Sequence, residues 1–164
     1  MKRILTVFVM VVMSLAAMPA MALTEKQEAA IMDRCAEIRE DLKTVQKDDA
    51  RARVHLGGRY ETILSKFIVP LNVRLVENNL SNADLVENQN QFAEAKATFA
   101  NDYVGYQQDL EELVAMDCKN EPSEFYEKLA KVRQKRKTVE QDTLKLRNLI
   151  SKQVKLVTSV RSKV

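Results

Sequence analysis

The sequence of 164 residues contains no Trp, one His, three Gly, three Pro and two Cys. A single His cannot form a metal site that needs two, and three glycines cannot supply the glycine-rich turns that bind nucleotides. The scarcity of Gly also excludes collagen-like chains and flexible Gly/Ser linkers. What remains, with 30% charged and 46% hydrophobic residues, is typical of one domain made of long helices.

The N-terminal segment has the pattern of a secretory signal peptide. Lys2 and Arg3 precede a mainly apolar stretch over residues 4–17, and residues 20–22 read Ala-Met-Ala, a small-x-small cleavage pattern. A membrane anchor would need about 20 apolar residues, which is more than this stretch provides. We therefore expect residues 1–22 to be a signal peptide. Residues 23–164 should form a single exported helical domain that is periplasmic, at the cell surface or extracellular.

Both cysteines, Cys35 and Cys118, lie in the part expected to be exported. An even number of cysteines in an oxidising compartment favours a disulfide. Two free thiols, or a metal or redox role, are the alternatives. The metal alternative lacks further thiols or a nearby His, so we expect a Cys35–Cys118 disulfide and no cofactor.

The spacing of apolar residues predicts the fold class. Apolar side chains recur every three and four residues and not every two, which indicates helices and no strands. We predict an all-α protein, an elongated antiparallel three-helix bundle with coiled-coil-like packing. The predicted helices cover about residues 24–77, 83–116 and 123–162. The first is expected to kink near Gly57 and Gly58 and again at Pro70.

Four polar residues, Asp49, Arg136, Thr143 and Gln153, occupy positions on the apolar stripes. Buried polar groups at such positions can fix helix register or oligomeric state. Thin bundles also expose part of every stripe, and we favour this second interpretation. The predicted register places Arg136 near Tyr103 and the glycine pair, where a cation–π or hydroxyl contact can form.

The charges are distributed unevenly along the chain. Residues 23–130 hold 13 Lys/Arg and 21 Asp/Glu, whereas residues 131–164 hold 11 Lys/Arg and only two acids. The third helix can pack against the acidic helices without an external ligand, or it can contact an anionic membrane or envelope polymer. Nucleic acid is not expected, because the chain is exported and this helix has no interleaved aromatics. The candidate contacts to an anionic surface are Lys131, Arg133, Lys135, Lys137, Lys145, Arg147, Lys152, Lys155, Arg161 and Lys163.

No group of residues in the sequence predicts catalysis. A catalytic triad would need a nucleophile and a carboxylate beside His55 in a fold with a pocket, and the sequence indicates neither. The adjacent carboxylates Asp48 and Asp49 point about 100° apart on a helix, so they do not form an acid–base pair. We expect neither enzymatic activity nor a small-molecule substrate.

The spacing of several residues is similar to that of a known group of proteins. These residues are Phe99, Tyr103, Tyr106, Leu110, Cys118, Phe125 and Leu129, with Cys35, His55 and Tyr60 upstream. The chain thereby resembles a group of uncharacterised exported helical proteins from small-genome bacteria. In that group a signal peptide precedes a helical hairpin, with one Cys near its start and another between the second and third helices. The resemblance implies a secreted, coiled-coil-like helical protein with no established activity.

These expectations lead to a functional hypothesis. The chain is expected to be a non-enzymatic exported protein that acts by surface or partner contacts at the cell envelope, as a structural, adhesive or interaction module. The alternatives are a periplasmic holdase-like chaperone, or a protein that binds membrane surfaces through its basic C-terminal helix. The expected partner is a protein or an anionic envelope surface, and homo-oligomerisation is left open.

Overall fold

A computed structural model describes residues 23–80 and 83–161 of the chain. Within these ranges the protein is helical and contains no strand, so the predicted all-α class is confirmed. The helices are α1 (Glu25–Asp33), α2 (Cys35–Thr62), α3 (Val69–Glu77), α4 (Ala83–Ala115) and α5 (Pro122–Arg161), with a π-helical segment (Ile63–Ile68) between α2 and α3. The predicted signal peptide over residues 1–22, the predicted helix end near residue 162 and the candidate contact Lys163 lie outside the described residues.

The segment expected as one long first helix is interrupted at its beginning. Thr24 caps α1, because its backbone N–H donates to Gln27 Oε1 at 2.9 Å while its Oγ1 accepts from the Gln27 N–H at 3.4 Å. The helix ends at Asp33, and α2 begins after Arg34, which has φ −100° and ψ 13°. The sequence analysis did not predict this short break.

α2 continues without a break through Gly57 and Gly58 to Thr62, and the predicted kink near these two residues stays a prediction. A Cβ atom at either glycine would meet nothing within 4 Å, so no neighbouring helix packs closely against the backbone at these two residues. Each glycine costs about 1 kcal/mol relative to Ala in a helix interior. Packing nearby offsets this cost, since the buried Tyr60 ring stacks edge to face on Phe92 and Phe99 of α4.

The helix next to Pro70 is irregular. The backbone widens into the π-helical segment over Ile63–Ile68, and Pro70 then lies in the first turn of α3. The wide π-helical turn accommodates Pro70, whose ring would clash with the carbonyl four residues earlier in a regular α-helix. After α3 the chain turns at Asn79, whose φ of 56° is in the left-handed region that Asn adopts more readily than most residues.

α4 forms the centre of the core. Its backbone packs most extensively against α5 and, to a smaller extent, against α2. It contributes most of the large buried side chains: Leu85, Phe92, Phe99, Tyr103, Tyr106, Leu110 and Leu113. Asp49 of α2 and Arg136 of α5 line one cavity together with two tyrosines of α4, so α2 and α5 border the same face of α4.

Cys35 and Cys118 form a disulfide, with Cα atoms 5.6 Å apart. Cys35 begins α2, and Cys118 lies in the connection between α4 and α5. The predicted pairing of the two cysteines is confirmed. The bond ties the start of α2 to the α4–α5 connection, at one end of the core.

Candidate functional site

A groove runs between α2 with the π-helical segment on one side and α5 on the other. It has two parts of different chemistry. The polar part, about 440 Å³, has α4 tyrosines beneath it and is lined by residues that include Asp49, Tyr103, Tyr106 and Arg136. The apolar part, about 350 Å³, is lined by Ile63, Phe67, Ile68, Leu71, Ile150, Gln153, Val154, Val157 and Thr158.

The polar part is organised around the Asp49 carboxylate. Arg136 reaches it from α5, with Nε 3.1 Å from Oδ2 and Nη2 3.2 Å from Oδ1. The Tyr106 hydroxyl donates to Oδ2 at 2.5 Å, and the Tyr103 hydroxyl donates to the Asp49 backbone carbonyl. A single residue of α2 is therefore bonded to both α4 and α5. The expected proximity of Arg136 to Tyr103 is found, with Asp49 as their common partner instead of the glycine pair.

Both tyrosines of the polar part remain protonated hydrogen-bond donors near neutral pH. Burial raises the pKa of Tyr103 to about 12, and the negative charge of Asp49 acts in the same direction. Burial also raises the pKa of Tyr106, and the hydrogen bond that it donates to Asp49 raises it further. These hydroxyls therefore hold helices together and are poorly suited to act as bases.

The apolar part exposes large hydrophobic side chains. Phe67, on the π-helical segment, is 64% exposed, and Val154, on α5, is 61% exposed. Ile63 and Leu71 on one side and Ile150 and Val157 on the other lie deeper and are only partly exposed. Exposed apolar residues that cluster in a groove mark interaction surfaces more often than isolated ones do.

A chain of buried amides lies beside the apolar part. Asn88 Nδ2 donates to Gln153 Oε1 at 2.8 Å and to the Leu149 carbonyl at 3.1 Å. Gln153 Nε2 donates to Asn72 Oδ1 at 3.2 Å, and Asn72 Nδ2 donates to Gln89 Oε1 at 2.9 Å. The chain joins α3, α4 and α5. The interpretation of Gln153 as an exposed stripe position is therefore wrong, because its side chain is buried.

The two segments that line the apolar part carry only positive charge, although Glu61, Glu77 and Asp142 border them. Residues 62–76 and 143–161 contain seven Lys/Arg and no Asp or Glu. All seven are exposed: Lys66, Arg74, Lys145, Arg147, Lys152, Lys155 and Arg161. Because like charges add over such distances, this part of the groove lies in a positive field.

Two of the predicted anionic-surface contacts bind within the protein. Lys135 Nζ lies 2.5 Å and Lys131 Nζ lies 3.6 Å from Asp109 Oδ2 of α4. Lys128, which the sequence analysis did not single out, lies 2.9 Å from Asp109 Oδ1 and also pairs with Glu112. The hydrogen bond from Lys135 is the main cause that lowers the pKa of Asp109 to about 2. The first half of the basic segment thus neutralises a carboxylate that is only 6% exposed.

The other candidate contacts that the structure describes are exposed: Arg133, Lys137, Lys145, Arg147, Lys152, Lys155 and Arg161. Lys152 makes one long hydrogen bond, 3.4 Å, to Gln91. Arg133, Arg147 and Arg161 are spaced by 14 residues, which is close to four helical turns, so they share one face of α5. The structure therefore divides the predicted set into a pair that contacts Asp109, Lys131 and Lys135, and a group that makes no ion pair with it.

Two carboxylates, Asp102 of α4 and Asp142 of α5, interact with each other. The pKa of Asp142 is raised by burial, and the negative charge and hydrogen bond of Asp102 raise it further. Lys145 opposes this effect only in part. The sequence contains no pattern that pairs these residues, because the pairing depends on the register of α4 against α5.

His55 is exposed on α2. Among residues 23–80 and 83–161 no group of three or more His, Cys, Asp or Glu is placed to hold a metal ion, and no helix is long and apolar enough to cross a membrane. Comparison with protein-family models, curated proteins and solved structures finds no match to this chain. The resemblance to exported two-cysteine proteins stays a prediction.

Proposed function

We propose that the protein is an exported, non-enzymatic interaction module of the cell envelope that acts by surface contact through the apolar part of the groove. The observation that carries the proposal is the exposure of Phe67 and Val154 on opposite walls of that part. Soluble proteins rarely leave such side chains in a shared groove unless a partner covers them. The positive surroundings favour a partner with negative charge.

The proposal includes a finer description of the fold, an elongated antiparallel three-helix bundle with coiled-coil-like packing. The order of the contacts supports it. Asp109 of α4 contacts Lys128 near the start of α5, whereas Asn88, earlier in α4, contacts Gln153 near the end of α5. The alternating steps of four and three residues along α5 also agree with this packing.

Export is supported by two independent features. The Cys35–Cys118 disulfide is of the kind that persists in oxidising compartments. The N-terminal residues carry the pattern of a cleavable signal. Both agree with a periplasmic, cell-surface or extracellular location.

A non-catalytic role is supported by the way the groove uses its polar groups. The carboxylate of Asp49 is already bonded to Tyr106 and Arg136, and the amide oxygen and nitrogen of Gln153 are each bonded to another side chain. Groups bonded in this way position helices and have little capacity left for a substrate.

Fractionation of cells tests the proposal. The full chain is expressed with a C-terminal tag in a Gram-negative host, and the envelope complexes are stabilised with a short amine cross-linker. We expect a periplasmic or envelope protein that lacks residues 1–22, is oxidised at Cys35 and Cys118, and forms a larger complex. Phe67→Asp should remove that complex, whereas Val104→Asp, a control on the exposed side of α4, should keep it. A reduced chain in the cytoplasm, or envelope complexes that persist in the Phe67→Asp variant, would contradict the proposal.

A second candidate function is adhesion to an anionic membrane surface through α5. The observation that favours it is the exposed basic face formed by Arg133, Arg147 and Arg161. Sedimentation with anionic and neutral vesicles across a salt series tests it. Binding to anionic vesicles that weakens as salt rises supports this function, and no binding at low salt rejects it.

A holdase-like chaperone is the third candidate. The exposed Phe67 and Val154 favour it, because unfolded clients present apolar segments without a fixed shape. A light-scattering assay with an aggregating client separates this candidate from the interaction module. Suppression of aggregation that Phe67→Asp abolishes supports the chaperone, and no suppression rejects it.

A further inference from the structure

We propose that the apolar part of the groove is a docking site for an acidic amphipathic helix of a partner protein. This inference rests on the proposed function and gives the chemistry of the partner. It follows from the dimensions of the groove, from the charges around it and from the hydrogen bonds at its floor.

The dimensions suit about two turns of a helix. On α5 the apolar part extends from Ile150 to Thr158, which is about 12 Å at 1.5 Å per residue. Its opposite wall extends over Ile63–Leu71, through the π-helical segment into α3. A helix laid between two helical walls presents side chains at i, i+4 and i+7 to the floor. Three apolar anchors with this spacing match the length of the groove.

The charges on both walls are placed to flank such a helix. Arg147 and Arg161 stand seven residues before and after Val154, and Arg74 stands seven residues after Phe67. Seven residues are nearly two helical turns, so these arginines lie on the same faces as the two exposed apolar residues. Arginine binds carboxylates with two parallel hydrogen bonds. Glu or Asp residues beside the apolar stripe of the partner would therefore meet a guanidinium at each end of the groove.

The polar side chain at the floor is already hydrogen-bonded within the protein. Gln153 lines the apolar part, but its amide donates to Asn72 and accepts from Asn88 inside the protein. Its hydrogen bonds join α3, α4 and α5 beneath the groove. A preformed groove binds with a smaller entropy cost than one that must be ordered. The floor therefore selects an apolar stripe, and the arginines select acidic flanks.

Two other occupants are conceivable, a second copy of this chain and an anionic bilayer. A concave cleft between two helices suits a helix better than it suits the surface of a bilayer. The acid-free segments 62–76 and 143–161 would repel each other if two copies joined through the same surface. Both occupants give distinct results in the experiment below.

The test measures binding of synthetic helical peptides to the purified oxidised protein by fluorescence anisotropy. The probe is a peptide of about 18 residues, long enough for several helical turns, with Leu at i, i+4, i+7 and i+11 and Glu on both flanks. One control peptide replaces every Glu by Lys, and a second scrambles the order so that no stripe forms. We expect saturable binding of the Glu peptide alone, weaker at high salt. No binding of the Glu peptide, or equal binding of the Lys or scrambled peptide, overturns the inference.

Variants of the protein locate the site. Phe67→Asp and Val154→Asp should each weaken binding of the Glu peptide about tenfold or more, because they remove an apolar contact. Combined Arg74→Gln, Arg147→Gln and Arg161→Gln should weaken it and reduce its salt dependence. Since all five side chains are exposed, these variants should keep the melting temperature of the parent. The matched control, Arg133→Gln with Lys137→Gln, also changes exposed cations of α5 and should bind normally.

The remaining outcomes are equally informative. If the peptide does not bind and the protein self-associates through a contact that Phe67→Asp abolishes, the groove binds a second copy and the inference is overturned. Vesicle binding that Phe67→Asp abolishes, again without peptide binding, assigns the groove to a bilayer and also overturns it. If the peptide does not bind but the envelope complexes are still lost in Phe67→Asp, the acidic helix is the wrong partner and the proposed function stands. If the peptide does not bind and the envelope complexes do not depend on Phe67, the proposed function is overturned as well.

Discussion

The Arg136 guanidinium of α5 reaches across the groove to the Asp49 carboxylate of α2, with Nε 3.1 Å from Oδ2. Both residues occupy apolar-stripe positions, where a hydrophobic residue would be expected. Their pairing joins two helices that otherwise pack mainly on α4. The ion pair therefore joins α2 to α5 directly at the polar part of the groove.

Loss of this ion pair should weaken the fold modestly. Asp49→Asn removes the charge that holds Arg136 but leaves an oxygen for the Tyr106 hydroxyl. We expect the free energy of unfolding to fall by about 1 kcal/mol, since Arg136 is half exposed and solvent screens the pair. Urea denaturation measures this change. Asp48→Asn, one residue earlier and more exposed, should have almost no effect, and equal losses in the two variants would reject this role for Asp49.

The buried amides should be more important for stability. Asn88→Leu removes the donor to Gln153 and leaves the buried Gln153 Oε1 and the Leu149 carbonyl without that partner. We expect the free energy of unfolding to fall by about 1–3 kcal/mol, the cost of buried polar groups that lose their hydrogen bonds. Asn90→Leu, two residues later on the exposed side of α4, is the control. A loss of stability in Asn90→Leu as large as in Asn88→Leu would show that the amide chain is not the cause.

Much of the fold could be predicted from the sequence, because it depends on local patterns. The steps of three and four residues locate the helices, and an even cysteine count in a chain whose first residues have the pattern of an export signal predicts the disulfide. Gly57 and Gly58 do not end the helix, since each glycine weakens it by only about 1 kcal/mol and neighbouring contacts such as those of Tyr60 compensate. The break at Arg34 has no strong sequence signal, as neither Gly nor Pro stands there.

The site could be predicted only in part. Asp49, Arg136 and Gln153 stand out in the sequence as polar residues on apolar stripes, and all three line the groove. Their partners could not be predicted, because they come from other helices and depend on register. Asp109 is the clearest case: it lies beside Leu110 on α4, and only the placement of α5 brings Lys128 and Lys135 to it.

Asp109 should stabilise the protein at neutral pH and lose this effect in acid. Its pKa in the folded protein, about 2, lies below the ordinary value of 3.8. A carboxyl group with a lowered pKa stabilises the protein at pH values above its ordinary pKa, and that stability disappears as the pH falls toward its pKa in the folded protein. Asp109→Asn should therefore cost about 2 kcal/mol near pH 7, and the difference from the parent should shrink between about pH 4 and pH 2. A difference that stays constant over this range would contradict the assignment.

Asp142 should show the opposite sign. Its pKa is raised in the folded protein, mainly by burial and also by Asp102. A carboxyl group with a raised pKa favours folding at pH values below its ordinary pKa. It opposes folding once the pH exceeds its pKa in the folded protein. Asp142→Asn, which mimics the protonated form, should raise the melting temperature near neutral pH and have no such advantage in acid. Glu127→Gln, an exposed control on α5, should leave the melting temperature unchanged, and a destabilised Asp142→Asn would contradict the prediction.

Removal of the disulfide should destabilise the protein strongly. Cys35 and Cys118 are 83 residues apart in sequence, and closing a loop of this size stabilises by about 4–5 kcal/mol in the chain-entropy model. A variant with both cysteines changed to Ala should unfold at a much lower urea concentration than the oxidised parent. Addition of dithiothreitol should lower the midpoint of the parent and leave that of the variant unchanged. A parent whose midpoint is insensitive to reduction would contradict this account of the bond.

Site-specific photo-cross-linking in living cells tests most directly the claim that the apolar part contacts a partner. A photoreactive phenylalanine analogue is placed in turn at Phe67 and Val154 of the apolar part, and at Val54 and Val104 as controls that are exposed elsewhere. The account predicts one cross-linked protein of defined mass from the envelope fraction at the first two positions and none at the controls. No adduct at Phe67 and Val154, or the same adducts at all four positions, would contradict it.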